Sequence, residues 1–234
     1  MKKKLLILML AVIGTAVMAY PNVSSFLNGI QQSQAISGYL SETDNESKQE
    51  QDALIQEARD YNDALRELTT GTAGMTTEAV NEILDSYNDI LNLTDTGMMG
   101  FIDILKINVH LPIYHGTDSY SLQQGVGHME MTSFPVGDEG THAVLSAHSG
   151  LPQSTLFTNL DELEVGDTFY ITVLSEVFWY EVYEIETVLP EEVDSLGITL
   201  GKDLCTLITC TPYGINTHRL LVHGTRIDAS EDAP

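Results

Sequence analysis

Basic residues are scarce in this sequence. Its 234 residues include 10 Lys and Arg against 34 Asp and Glu, which gives a formal net charge of -24 at pH 7. A chain with this charge repels phosphate and favours cationic partners, so we do not expect a nucleic-acid ligand. Solubility alone explains most of the charge. Internal repeats and low-complexity tracts are also absent, and the length fits one core rather than two.

Cysteine is almost as rare, because the chain contains only Cys205 and Cys210. An exported domain that is stabilised by disulfide bonds normally carries more cysteines. Both residues lie in a β-rich run, where their separation places the Cα atoms roughly 16 Å apart on opposite faces of the strand. A disulfide needs Cα atoms within about 7 Å, so we predict two free thiols. Burial in the core is a sufficient explanation for Cys205.

The N-terminus has the layout of an export signal. Three lysines at positions 2–4 precede an apolar run from Leu5 to Tyr20, which is typical of a signal peptide or a membrane anchor. As a helix the run would reach only about 24 Å into a hydrocarbon core of roughly 30 Å, and Val17 to Ala19 resembles a cleavage site. We therefore predict that residues 1–20 are a cleaved signal or a short anchor, and that the rest of the chain is exported.

The composition divides the remaining chain into four parts. Residues 21–46 are rich in Ser, Gln and Asn and predict a flexible stalk. Residues 47–96 predict two helices, because apolar residues recur there at spacings of three and four. Thr76 or Thr77 is expected to cap the second helix. Residues 97–228 form the predicted core domain, and residues 229–234 an acidic tail. The two apolar stripes are Leu54, Ala58, Tyr61, Leu65 and Leu68, then Val80, Ile83, Leu84, Tyr87 and Leu91.

From Phe101 onward the apolar pattern changes to a period of two. β-rich runs follow near residues 107–113, 143–146, 168–174, 177–188, 204–209 and 220–227. Turn residues separate these runs, and no helical pattern alternates with them. We therefore predict a mainly β fold, a closed antiparallel or mixed barrel preceded by α-helices.

The most informative segment joins the last two predicted strands. Cys210 ends one strand, a Pro-Tyr-Gly-Ile-Asn turn follows, and Arg219 opens the next strand. This segment resembles the sortases, specifically the class C sortases that polymerise pilins. Further blocks of the same family are similar to residues 100–104, 111–116, 125–128 and 141–152, so the resemblance covers about residues 97–227. It implies a sortase-type barrel of about eight strands.

The resemblance also implies the roles of three site residues. Cys210 would be the nucleophile, His148 its proton partner, and Arg219 the group that positions substrate and stabilises the oxyanion. These residue types suit the chemistry, because a nearby cation raises the thiolate fraction of a thiol and an imidazole transfers protons near neutral pH. The fixed charge of a guanidinium suits a carbonyl oxygen that becomes negative. The competing histidines are His110, His115, His128, His142, His218 and His223.

The reaction implied by the resemblance cuts a Leu-Pro-x-Thr-Gly type sorting signal between Thr and Gly. A thioacyl enzyme then transfers the signal to an amine, either a pilin lysine or a cell-wall precursor; an inactive surface module is the non-enzymatic alternative. The implied partners are surface proteins or pilins that carry the signal, and the implied location is the extracytoplasmic face of a Gram-positive membrane. No cofactor is implied, and the absence of a His-Glu-x-x-His spacing argues against zinc.

One departure from the family concerns the lid. Many class C members carry an Asp-Pro-aromatic lid before the barrel, but the corresponding stretch from Thr69 to Thr77 contains neither an Asp-Pro pair nor an aromatic residue. We expect a lid that is missing or built differently, with Met75 as a candidate apolar plug.

Overall fold

The computed structural model describes residues 2–71, 76–94, 96–151 and 154–228. Three helices precede a β domain that contains one short helix. The helices are α1 (Lys2–Asn45), α2 (Lys48–Thr70), α3 (Thr77–Tyr87) and α4 (Ser119–Gln124). The strands are β1 (Met98–Ile104), β2 (Val109–His115), β3 (Val126–His128), β4 (Thr141–Ser146), β5 (Thr168–Val173), β6 (Glu176–Val188), β7 (Asp203–Thr211) and β8 (His218–Ile227).

The predicted flexible stalk over residues 21–46 is wrong, because α1 runs without a break to Asn45. Its last turns are fixed by the barrel. Tyr39 is buried, and its hydroxyl donates to the carbonyl oxygen of Met99 at 2.9 Å and accepts from the backbone N–H of Leu174 at 2.9 Å. The side chain of Gln32 donates to the carbonyl oxygen of Gln124. Packing of this kind stabilises a helix whose polar composition alone does not predict one.

Helices α2 and α3 begin at side-chain caps. Ser47 and Glu50 form a capping box at the start of α2, in which each side chain bonds the other residue's backbone N–H. Thr76 caps α3 by accepting from the N–H of Ala79, which confirms one of the two predicted caps. Leu91, which we assigned to the second stripe, lies beyond α3 and is buried with a left-handed backbone.

The eight strands close into a barrel in the order β1-β2-β3-β4-β7-β8-β6-β5. The pairs β2·β3 and β4·β7 are parallel and the remaining pairs are antiparallel. The predicted closed barrel is therefore confirmed, and it is mixed. The sequence pattern did not mark β3, which is too short to show a period of two.

The two faces of the wall formed by β4, β7, β8 and β6 differ in what covers them. On β7, Cys205 and Leu207 point into the main core, whereas Ile208 belongs to a small second cluster on the outer face. That cluster contains Val144 and Leu221, with Leu196 of the β6–β7 connection packed against it. The outer face of this wall carries the candidate site.

Candidate active site on the outer face of the barrel

Cys210 and Arg219 lie opposite each other near the ends of two antiparallel strands. Their Cα atoms are paired in the β7·β8 ladder, two residues beyond the pair Ile208 and Leu221 of the outer cluster. Side chains of directly opposed residues share a face, with Cβ atoms about 4.5–5.5 Å apart. The thiol and the guanidinium group therefore emerge on the same outer face.

His148 follows the end of β4, the parallel neighbour of β7. Ser146 is paired with Ile208, and beyond this pair the backbone N–H of Ala147 donates to the carbonyl oxygen of Ile208 at 3.1 Å. The hydroxyl of Thr209 donates to the carbonyl oxygen of Ala147 at 2.8 Å. These bonds continue the register past the end of the strand, so His148 lies level with Cys210. The structure thus brings the three predicted site residues to one end of the wall.

Thr209 is a positioning residue that sequence reasoning missed. Its buried hydroxyl fixes the chain immediately before His148, although its side chain points away from the face that carries Cys210. A threonine next to a cysteine in a strand gives no signal of this role, because its partner lies on a distant segment of the chain.

The three site residues are partly exposed, as a site open to substrate requires. The guanidinium group of Arg219 donates to the carbonyl oxygens of His218 at 3.1 Å and Asn216 at 3.4 Å. Within the ranges that the structure describes, no hydrogen bond joins the thiol, imidazole and guanidinium groups. Catalytic hydrogen bonds often tighten only when substrate is bound.

The two loops at the site contact each other. Gly150 has a left-handed backbone, with φ +77°, and a Cβ atom built there would lie 3.0 Å from the ring of Tyr213. Tyr213 is 66% exposed, so its ring covers the backbone of Gly150 while its other face is open to solvent. Sequence reasoning placed both residues in family blocks but did not pair them.

The outer cluster extends from the site as an apolar surface. Val144, Ile208 and Leu221 form its buried centre, and partly buried apolar side chains surround them. Because the cluster begins two residues from Cys210 along β7, an extended apolar peptide laid across its partly exposed side chains could bring a carbonyl carbon to the thiol. The surrounding side chains are Met129, Val188 and Leu196.

The competing histidines have structural partners. Burial lowers the pKa of His128 to about 4, and its ring bonds Tyr87 and the carbonyl oxygen of Ser133. A hydrogen bond with Asp103 raises the pKa of His110. The rings of His115, His142, His218 and His223 are also hydrogen-bonded. Among the residues described, no group of three or more His, Cys, Asp or Glu has the arrangement of a metal site.

Several predicted features fall partly outside the described residues. The candidate lid stretch connects α2 to α3, but residues 72–75, including Met75, are not described, and neither is the acidic tail over residues 229–234. At the other end, α1 is long and apolar enough to cross a bilayer: its most apolar window has a mean hydropathy of 1.9 and is unburied. A signal sequence would meet the same criterion, so the nature of residues 1–20 stays a prediction.

Comparison with known proteins identifies the family. The model of the sortase domain matches residues 102–227, which is more than half of the chain. The chain belongs to the sortase family. Sortase D of Bacillus subtilis is 33% identical to this sortase over 131 residues, which cover 55% of the chain and 63% of the relative. The match thus spans less than two thirds of that curated relative.

Solved structures of class C sortases resemble this sortase over a longer stretch. Sortase C1 of Streptococcus agalactiae is 42% identical, with a TM-score of 0.76, and the match covers 84% of this chain and 100% of that one. Sortase C of Clostridium perfringens, solved with the C-terminal cell wall sorting motif, is 44% identical with a TM-score of 0.72 and the same coverage. These neighbours agree with the class that the sequence motifs resemble.

Proposed function

We propose that this sortase is a cysteine transpeptidase that transfers a Leu-Pro-x-Thr-Gly type signal to an amine, with a pilin lysine as the acceptor. The Cys210 thiolate attacks the carbonyl carbon of the signal's threonine. The Thr–Gly amide bond breaks, and the glycine amine leaves with a proton from His148. The lysine amine then attacks the thioester and forms an amide or isopeptide bond; the thiolate of Cys210 leaves, and the proton lost by the amine passes to His148, which restores both groups.

The alignment of Cys210, Arg219 and His148 at one end of the barrel wall carries this proposal. The three groups come from β7, β8 and the end of β4, respectively, so the barrel itself sets their spacing. A guanidinium beside the thiol favours the anion that attacks and can donate to the oxygen that becomes negative. Such donors are most effective when they are already oriented, and two backbone carbonyls hold the Arg219 side chain.

The substrate part of the proposal rests on the apolar surface beside Cys210. Met129, Val188 and Leu196 are partly exposed and pack on the buried Val144, Ile208 and Leu221, so together they offer an apolar floor for the leucine and proline of a sorting signal. The Clostridium perfringens neighbour was solved with a cell wall sorting motif, which supports a ligand of the same class here. The class C neighbours favour a pilin lysine over a cell-wall precursor amine. An inactive surface module is disfavoured, since all three site residue types are present.

We also propose that the enzyme works outside the cell, on the membrane of a Gram-positive bacterium. The support is the long apolar stretch of α1 behind three lysines, together with family membership. If residues 1–20 anchor the chain, the continuous helix would hold the barrel close to the membrane surface where surface proteins emerge.

The test is mass spectrometry of the purified chain mixed with a Leu-Pro-x-Thr-Gly peptide. We expect a thioester adduct that a lysine amine discharges. Cys210→Ala should abolish the adduct, whereas Cys205→Ala is the matched control and should keep it, because Cys205 is buried in the core. No adduct with any sorting peptide, or an adduct on Cys205, would overturn the proposal. Comparing lysine peptides with cell-wall amines as acceptors decides between the two transfer reactions.

A further inference from the structure

A continuous chain of four hydrogen bonds crosses the outer face of the wall, beneath the β6–β7 connection. The carbonyl oxygen of Gly197 is 3.0 Å from Nδ1 of His142, whose Nε2 is 2.6 Å from the hydroxyl oxygen of Thr206. That hydroxyl is 2.7 Å from Nδ1 of His223, and Nε2 of His223 is 3.1 Å from a carboxylate oxygen of Glu186. The three central side chains are almost completely buried, with exposed fractions of 0–2%.

Four simultaneous hydrogen bonds require an extra proton on this chain. Both of its ends, the Gly197 carbonyl and the Glu186 carboxylate, only accept hydrogen bonds. Four bonds need four hydrogens, but the Thr206 hydroxyl supplies one and two neutral imidazoles supply one each. The fourth hydrogen makes one imidazole a cation. When that proton leaves, one of the four buried bonds must break.

The surroundings favour a cation at the Glu186 end. A hydrogen bond from Ser195 and another from His223 hold the pKa of Glu186 below its ordinary value, so this carboxylate is ionised. Glu184 adds a second negative charge, because it is paired with His223 in the β6·β8 ladder. Burial lowers the pKa of His142, and the nearby His223 lowers it further, which disfavours the cation at that end.

Three more titratable groups lie near this chain. The ring of Tyr183 is 6.0 Å from the ring of His223, and Lys202 lies 5.8 Å above the Tyr183 ring. Asp194, next to Ser195 in the connection, is exposed. Lys202 is the basic side chain among these three groups. Its positive charge is outweighed at the His223 end of the hydrogen-bond chain by the two glutamates, Glu184 and Glu186. The local charge therefore helps to retain the extra proton.

The chain reaches the candidate site through Leu196. This residue packs on the apolar floor beside Cys210, and its two neighbours in sequence are both fastened to the wall. Ser195 bonds Glu186 at one end of the chain, and Gly197 accepts from His142 at the other. Releasing either neighbour would let Leu196 leave the floor.

We propose that His142 and Thr206 are positioning residues. Through the protonated hydrogen-bond chain they hold residues 195–197 in place, so that Leu196 completes the binding floor for the sorting peptide. This inference rests on the proposed function for its substrate. Deprotonation as the pH rises breaks the bond from His223 to Glu186, so the carboxylate that holds Ser195 loses this partner. The connection then loosens and the peptide binds less tightly. The reacting groups are untouched, so KM should change more than kcat.

Steady-state kinetics from pH 5 to pH 8 test the proposal, with the sorting peptide as substrate. In the wild type we expect KM to rise with pH by roughly threefold to tenfold, the equivalent of one hydrogen bond. Thr206→Val interrupts the chain at its centre and should give the high-pH KM at every pH. Thr206→Ser restores the hydroxyl and should restore the profile. A wild-type KM that does not change with pH, or a wild-type profile in Thr206→Val, would overturn the proposal.

A second measurement needs no peptide and uses the wild-type protein and the Thr206→Ser variant. The imidazole nitrogens of His142 and His223 are followed by NMR through the same pH range. We expect one cation shared by the pair at low pH and a coupled titration, in which Thr206→Ser behaves like the wild type. Two neutral rings across the whole range would overturn the proton count. This NMR measurement does not depend on a substrate. A missing thioester adduct would therefore count against the proposed function and not against the protonated hydrogen-bond chain.

Discussion

Cys210 faces Arg219 across the β7·β8 ladder, whereas Cys205 on the same strand is paired with Gly224 and buried in the main core. Burial raises the pKa of the Cys205 thiol well above its ordinary value, so this cysteine stays a neutral core residue. One strand therefore carries two thiols with different environments, separated by the alternation of its faces. The chemistry of the proposed site depends on the outward-facing thiol and its opposite arginine.

Replacing Arg219 should therefore reduce turnover strongly. We expect Arg219→Gln to lower kcat about 100- to 1000-fold, the usual cost of losing one oxyanion donor, and Arg219→Lys to restore it only in part because an ammonium lacks the forked donors. The measurement is the rate of thioester formation with a sorting peptide. Arg226→Gln on the same strand is the control and should keep kcat, because Arg226 lies far along β8 and packs on Phe178. Equal losses in both variants would contradict this role for Arg219.

Gly150→Ala should destabilise the loop contact at the site. The left-handed backbone alone costs an alanine about 1–2 kcal/mol, and the new Cβ would also press on the ring of Tyr213. Urea unfolding measures the free energy of unfolding. Gly166→Ala is the matched control, because Gly166 has a φ of +97° but no atom within 4 Å of the added Cβ. The free energy of unfolding should fall more for Gly150→Ala than for Gly166→Ala. When both are made in a Tyr213→Ala background, the two losses should be equal, because the ring that the new Cβ contacts is gone.

Tyr39→Phe tests how firmly α1 is joined to the barrel. The variant removes a hydroxyl that accepts from the N–H of Leu174 and donates to the carbonyl of Met99, and both residues are buried where these bonds are lost. We expect the free energy of unfolding to fall by about 1–3 kcal/mol. Tyr20→Phe, in the exposed part of the same helix, is the control and should change it little. Equal stability of the two variants would show that the hydroxyl of Tyr39 does not hold α1 in place.

Asp203 should make stability depend on pH. Burial raises its pKa from 3.8 to about 6, although Arg226 and the hydroxyl groups of Tyr180 and Thr141 oppose the shift. The folded state then binds the proton more tightly than the unfolded state. Its contribution is fully present below about pH 4 and is lost as the pH rises to about 6, at most about 3 kcal/mol.

The Asp203→Asn variant isolates this contribution. The amide oxygen of Asn can still accept from Tyr180 and Thr141, but the side chain does not titrate. Unfolding free energies at pH 4 and pH 7 should show a smaller decrease with rising pH in the variant than in the wild type. The same pH dependence in both proteins would exclude Asp203 as its source.

The sequence alone determined the class of fold and the identity of the candidate site residues. The change of apolar period near Phe101 indicates β structure, because side chains alternate across a sheet wherever one face is buried. The segment from Cys210 to Arg219 is local, so its strand–turn–strand layout can be read directly and carries the family resemblance. Free thiols also followed from strand geometry, and both cysteines are free in the structure.

Tertiary contacts decided the rest. Composition predicted a stalk for residues 21–46, but helix α1 continues there because the barrel buries Tyr39 and bonds its hydroxyl, contacts that lie 60 or more residues away in sequence. In the same way, Thr209 fixes the backbone before His148, and Thr206 links His142 to His223, only after β4, β7 and β8 are aligned. Register between distant strands is set by the closure of the whole barrel. A single sequence shows which residues can act, and the closed barrel decides which of them meet.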